Sequence, residues 1–99
     1  MIGIDLVDAN RFETSEKLSR FLERFHADGT TALAMAKTWA CIEAITKAED
    51  QPFDPAKIRI RFPKSQRPTV EDPDQVLSGP YMLGLSHENN MVIAVAIRA

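Results

Sequence analysis

Two hydrophobic periods divide the chain. Ile2, Ile4 and Leu6 recur at every second position, with Val7 following, which predicts a short strand over Ile2–Val7 that Asp5 interrupts. From Ser15 to Phe25 the period changes. Leu18, Phe21, Leu22 and Phe25 follow the i, i+3, i+4, i+7 spacing of an amphipathic helix, and Lys17, Arg20 and Arg24 share another side. Asp28-Gly29 breaks the chain, and Thr30 or Thr31 is placed to cap a second helix over Ala32–Ala48, rich in Ala, Leu and Met. Trp39, Glu43 and Lys47 recur every fourth residue there, so they line one face.

Beyond Pro52 the period returns to two. Ile58, Ile60 and Phe62 alternate with Lys57, Arg59 and Arg61, which predicts a strand over Lys57–Phe62. The proline-rich stretch Pro63–Pro80 reads as turns with a short strand at Thr69-Val70. Tyr81–Ser86 and Met91–Arg98 predict a closing hairpin whose turn is His87-Glu88-Asn89-Asn90. Strand, two helices, then antiparallel strands is an α+β order, and no repeat or linker divides residues 1–99, so one domain is expected.

Composition narrows the function classes. A hydrophobic share of 44% with 26% charged residues is that of a folded globular chain rather than a disordered one. A net charge of −2 supplies no general attraction to nucleic acid or anionic membrane, though it permits a local basic patch. The single Cys41 excludes an internal disulfide and a four-cysteine zinc site; with no base partner in view it is read as buried packing. No apolar run reaches membrane-spanning length, and Met1–Asp5 lacks the charged flank of a signal peptide, so a cytoplasmic location is expected.

Two carboxylates stand out. Asp5 lies inside a strand, and Glu43 lies among Ala40, Ile42, Ala44 and Ile45. A buried carboxylate costs several kcal/mol, of order, unless it is paired or holds a metal. Mg²⁺ takes one or two carboxylates together with waters and substrate phosphates, which such a pair would suit. The plainer alternatives are that Asp5 caps the turn after the strand, and that Glu43 and Lys47 form an i, i+4 surface ion pair.

Gly3-Ile4-Asp5-Leu6-Val7-Asp8 with Arg11-Phe12 resembles the N-terminal signature of the acyl-carrier-protein synthases, the short type of 4′-phosphopantetheinyl transferase. The segment from Trp39 through Glu43 to Lys47 resembles that family's second signature, aromatic-x-x-K-E-[AS]-x-x-K. Leu83–His87 followed by Met91–Arg98 resembles its closing S-x-S-H hairpin, and Lys57–Phe62 with Arg67-Pro68 stands where the family has a strand and then G-K-P. The motifs occur in family order and span most of the chain.

The resemblance implies an antiparallel sheet packed on a long helix, a homotrimer with sites between adjacent subunits, and Mg²⁺-dependent transfer of 4′-phosphopantetheine from coenzyme A to a serine of an acyl or peptidyl carrier protein, releasing 3′,5′-ADP. Fatty-acid and polyketide carriers are both candidates. It implies Asp5 and Glu43 as metal ligands, Lys47 as a phosphate contact with an acid–base role, and Arg67, Pro68, Ser86 and His87 beside coenzyme A. Arg11, Lys17, Arg20 and Arg24 would face the acidic carrier. A water or a carboxylate near the metal would accept the serine proton. The chain departs from the family at Ile42, where Lys is usual, and at Gln66, where Gly is usual; the span between Asp5 and Glu43 is also short. These departures keep open a non-catalytic homologue that binds coenzyme A or a carrier without transfer.

Overall fold

A computed structural model describes the whole of Met1–Ala99. Strand β1 (Ile2–Asp8) runs through a 3-10 turn at Ala9–Phe12 into helices α1 (Ser15–Phe25) and α2 (Ala32–Ala48). A second 3-10 turn, Pro55–Lys57, leads to β2 (Arg59–Arg61), β3 (Thr69–Glu71), β4 (Met82–Glu88) and β5 (Met91–Ile97). Side-chain oxygens cap both helices: Thr14 accepts from the Lys17 N–H, and Thr31, one of the two expected caps of the second helix, from the Ala34 N–H.

β5 is the centre of a three-stranded antiparallel sheet in the order β1-β5-β4. Asp5 stands opposite Ala94, which stands opposite Leu85; one row away Val7, Val92 and His87 are aligned. α2 packs on the inner face of β1 and β5 far more than on β4. Its alanines at every fourth position, Ala36, Ala40, Ala44 and Ala48, are all buried, as are Val92, Ala94 and Ala96 of β5. Small residues on both surfaces let helix and sheet approach closely. The limit is reached at Gly3, where an added Cβ would lie 1.8 Å from the Ala44 carbonyl oxygen.

α1 is fastened to this core by aromatic rings. Phe21 lies edge-on to Phe12 at 5.1 Å between centroids, and Trp39 closes the cluster against Phe25 at 5.1 Å. Trp39 is thus core packing, as its position suggests. Cys41 is fully buried, and burial pushes its thiol up to about 12, so it is inert packing as well.

Two sequence expectations are corrected. Lys57–Phe62 is not one strand: the Ile58 N–H donates to the Pro55 carbonyl, which holds Lys57 in the 3-10 turn, and Pro63 ends extension on the other side. Only Arg59–Arg61 remains, paired with β3 in a separate two-stranded ribbon. His87 is not in the hairpin turn. It is a strand residue facing Val92, and the turn is Asn89-Asn90, with Asn89 at φ 54°. Two-residue hairpin loops need positive φ, which Asn tolerates, so the tight turn prevails over a four-residue loop.

Candidate functional site

β1 presents Asp5 on the inner face of an edge strand, beside the C-terminal half of α2. The Asp5 side chain is only 14% exposed, and the Lys47 ammonium donates to its Oδ1 at 2.8 Å and to the Ile4 carbonyl at 3.1 Å. Lys47 therefore crosses from helix to strand. The i, i+4 pair with Glu43, which the spacing also allowed, does not form.

Glu43 completes the cluster. Burial holds its carboxyl above the usual carboxylate range, and the Asp5 charge raises it further; Lys47 and Arg11 pull it down. Asp5 and Glu43 thus feel one another as like charges despite their separation in sequence. No third Asp, Glu, His or Cys joins them in a metal-binding group. Two carboxylates alone do not make a closed protein cage. They do fit a Mg²⁺ that keeps waters and completes its shell with ligand phosphates.

Arg11 links this cluster to a cavity of about 230 Å³ between the first 3-10 turn, α1 and α2. Phe12, Phe21, Phe25 and Trp39 provide its apolar lining, and Arg11, Lys17, Arg20 and Arg24 its basic part. The four basic residues singled out in the sequence share one depression, with Arg20 also paired to Glu16 and Arg24 placed over the Phe25 ring.

Arg67, Pro68 and His87 lie elsewhere. α2 leaves much of the inner side of β4 open, and there Phe62, Ser65–Thr69, Leu85 and His87 form an open groove of about 860 Å³. Neither Asp5, Glu43 nor Lys47 lines it. Asp5 belongs to one edge strand of the sheet, and Leu85 and His87 to the other. Ser86 is not brought to the groove: strand alternation sends it to the outer face, opposite Ile93. Lys37 also lines the groove, and sequence reasoning missed it. Its only signal was its place on the helix that carries Glu43 and Lys47.

The outer face of the sheet is apolar. Ile2, Ile4, Leu6, Met82, Met91, Ile93 and Ile97 are each between 40% and 62% exposed, across all three strands. A contiguous patch of this kind marks an interaction surface.

No protein-family model and no curated protein matches the sequence. Solved structures do resemble the chain. A holo-[acyl-carrier-protein] synthase from Helicobacter pylori, in complex with coenzyme A, is 24% identical over 98% of both chains with a TM-score of 0.81. The Neisseria meningitidis synthase is 22% identical over 96% of this chain and 94% of its own, with a TM-score of 0.75. The Mycobacterium tuberculosis acyl carrier protein synthase is 26% identical over 96% and 92%, with a TM-score of 0.62. The chain has the α+β fold of the holo-acyl-carrier-protein synthases.

Proposed function

We propose that this protein is a holo-acyl-carrier-protein synthase, transferring 4′-phosphopantetheine from coenzyme A to a carrier-protein serine. The observation that carries the reading is the cluster of Asp5, Glu43 and Lys47: two carboxylates from different elements whose charges interact, with an ammonium held against one of them. In the reaction the serine oxygen forms a bond to the β-phosphorus of the coenzyme A diphosphate. The bond to 3′,5′-ADP breaks, and the serine proton leaves to a basic oxygen beside the carboxylates. Asp5 and Glu43 would hold Mg²⁺, which when bound would neutralise charge on the diphosphate oxygens. Lys47, already oriented by the Ile4 carbonyl and Asp5, supplies a fixed positive charge for the same oxygens. The carboxyl of Glu43 is raised first by burial and then by the Asp5 charge, and a bound cation would favour its ionised form.

The basic, aromatic-lined depression suits an acidic carrier protein that offers one apolar side chain. Arg11 borders both this depression and Glu43, so a docked carrier would lie next to the carboxylates. The Arg67–His87 groove is the second half-site, for the nucleotide end of coenzyme A. Because the halves belong to opposite edges of the sheet, a neighbouring copy would bring one against the other. The apolar outer face supports association into a homotrimer through the sheets. A cytoplasmic location accords with this role.

The test mixes pure protein, coenzyme A, Mg²⁺ and an apo carrier and follows carrier mass. A pantetheine-sized gain is expected, and replacing Asp5 or Glu43 with Ala should cut the rate by about 100-fold or more. Full activity in either variant would remove the metal assignment. One observation favours a second reading, binding without transfer. Ile42 is buried in the core, so this position offers the ligand no charge where the family has Lys. Coenzyme A binding with no carrier mass gain would establish that reading instead.

A further inference from the structure

We infer that Lys37 is a ligand-binding residue of the Arg67–His87 groove, where its ammonium recognises a phosphomonoester. The inference rests on the coenzyme A reading and adds to it a residue that neither the motifs nor the resemblance assigned.

Charge selects the ligand. Lys37, Arg67 and His87 line the groove and no carboxylate does. Several basic side chains elsewhere are matched, Lys57 with Asp74, Arg61 with Glu71, Arg98 with Asp50 and Lys47 with Asp5, while Arg11, Lys17 and Arg24 stand without an ion pair around the aromatic-lined depression on α1. The cavity beside β2 also carries Lys57, Arg59 and Arg61, but Glu71 and Asp72 share it. Lys37 takes part in no ion pair. Asp28, which lines a smaller adjoining cavity with Lys37 and Phe62, lies beyond ion-pair reach. Lys37 and Phe62 line both cavities, so the lysine forms part of the wall between them and its stem is half-buried. An ammonium on a confined stem loses less freedom on binding than one on a free surface chain.

The ligand's chemistry supplies the other half of the argument. Coenzyme A carries a diphosphate and, at the far end of the nucleotide, a 3′-phosphomonoester whose second ionisation lies near about pH 6, so it is close to dianionic at neutral pH. The carboxylate pair suits the diphosphate with its cation but would repel an unaccompanied dianion. The depression on α1 has an apolar lining suited to a protein side chain. The groove offers cations without a competing anion, and Lys37 with Arg67 gives it two permanent charges.

Isothermal titration tests this with 3′,5′-ADP, which has the 3′-phosphomonoester, against 5′-AMP, which carries only the 5′-phosphate common to both. The wild type should favour 3′,5′-ADP. Lys37→Met, which keeps the stem, should weaken 3′,5′-ADP by about 10–100-fold while leaving 5′-AMP within about twofold, and Lys37→Arg should retain most of the preference. Equal loss on both nucleotides, no loss, or a wild type without preference overturns the inference; a thermal melt shows that the variants are folded. The readout does not depend on turnover. A Lys37-dependent preference in a protein that transfers nothing leaves this inference standing and sinks the transferase reading. Transfer without Lys37 dependence does the reverse.

Discussion

Asp5 illustrates how much one residue can reveal. A carboxylate inside an apolar alternation has no packing purpose, and the structure supplies one in the Lys47 ammonium and the neighbouring Glu43. Gly3 is the opposite case, a residue that looks like part of a motif and is also a steric requirement. Its missing side chain is what allows β1 to approach the Ala44 carbonyl. Gly3→Ala should therefore destabilise the fold by about 3 kcal/mol or more, since neither backbone can yield without moving the other. Urea unfolding measures it, and a midpoint equal to wild type would mean that the strand sits farther from the helix than described. Because Asp5 follows two residues later on the same strand face, the variant should also lose the proposed transfer activity.

At the scale of the element, α2 serves two purposes on different sides. Its alanine row makes the core, while Lys37, Glu43 and Lys47 reach outward to the groove and the carboxylate cluster. Its C-terminal end is fastened by Glu49, which accepts from the Ser78 N–H at 2.8 Å, from the Ser78 hydroxyl, and from the Tyr81 hydroxyl at 2.5 Å. Partial burial alone would raise the Glu49 carboxyl. The Ser78 and Tyr81 hydrogen bonds outweigh it, and the net displacement is downward. A carboxyl lowered by folding contributes stability that is present above its unfolded value, about 4.3, and is lost as pH falls through the folded value. Wild-type melting temperature should therefore drop more steeply below about pH 4.3 than that of Glu49→Gln, whose side chain does not titrate. Parallel curves from pH 6 to pH 3 would show that this carboxylate is not a staple. Nothing in the sequence marked Glu49, because its partners lie about thirty residues away and only the fold brings them near.

The whole molecule has an apolar core on one side of its main sheet and an apolar exposed surface on the other. A chain of this size buries only about 60% of its unfolded surface, so covering a sheet face with further copies is an effective source of stability. Ile93, in the central strand of that face, is 44% exposed. If the proposed homotrimer forms through this face, Ile93→Lys should yield single chains by sedimentation velocity while leaving the far-ultraviolet circular dichroism unchanged. Such chains should also lose transfer, because each retains two half-sites that no neighbour joins. A trimer that survives the substitution would place the interface elsewhere.

Hydrophobic period alone determined the two helices, the outer strands and the α+β order, because those signals are local: a face repeats every two or every 3.6 residues wherever the element later packs. It also marked Asp5 and Glu43, since a charge out of phase with its neighbours is visible without coordinates. Tertiary structure decided the pairings. It placed Lys47 on Asp5 rather than Glu43, moved His87 from turn to strand, shortened the strand after Lys57, turned Ser86 away from His87, and brought Lys37 beside Arg67. Those outcomes depend on register, on helix-to-sheet distance and on which edge of a sheet a loop reaches, and none of these is a property of neighbouring residues in the chain.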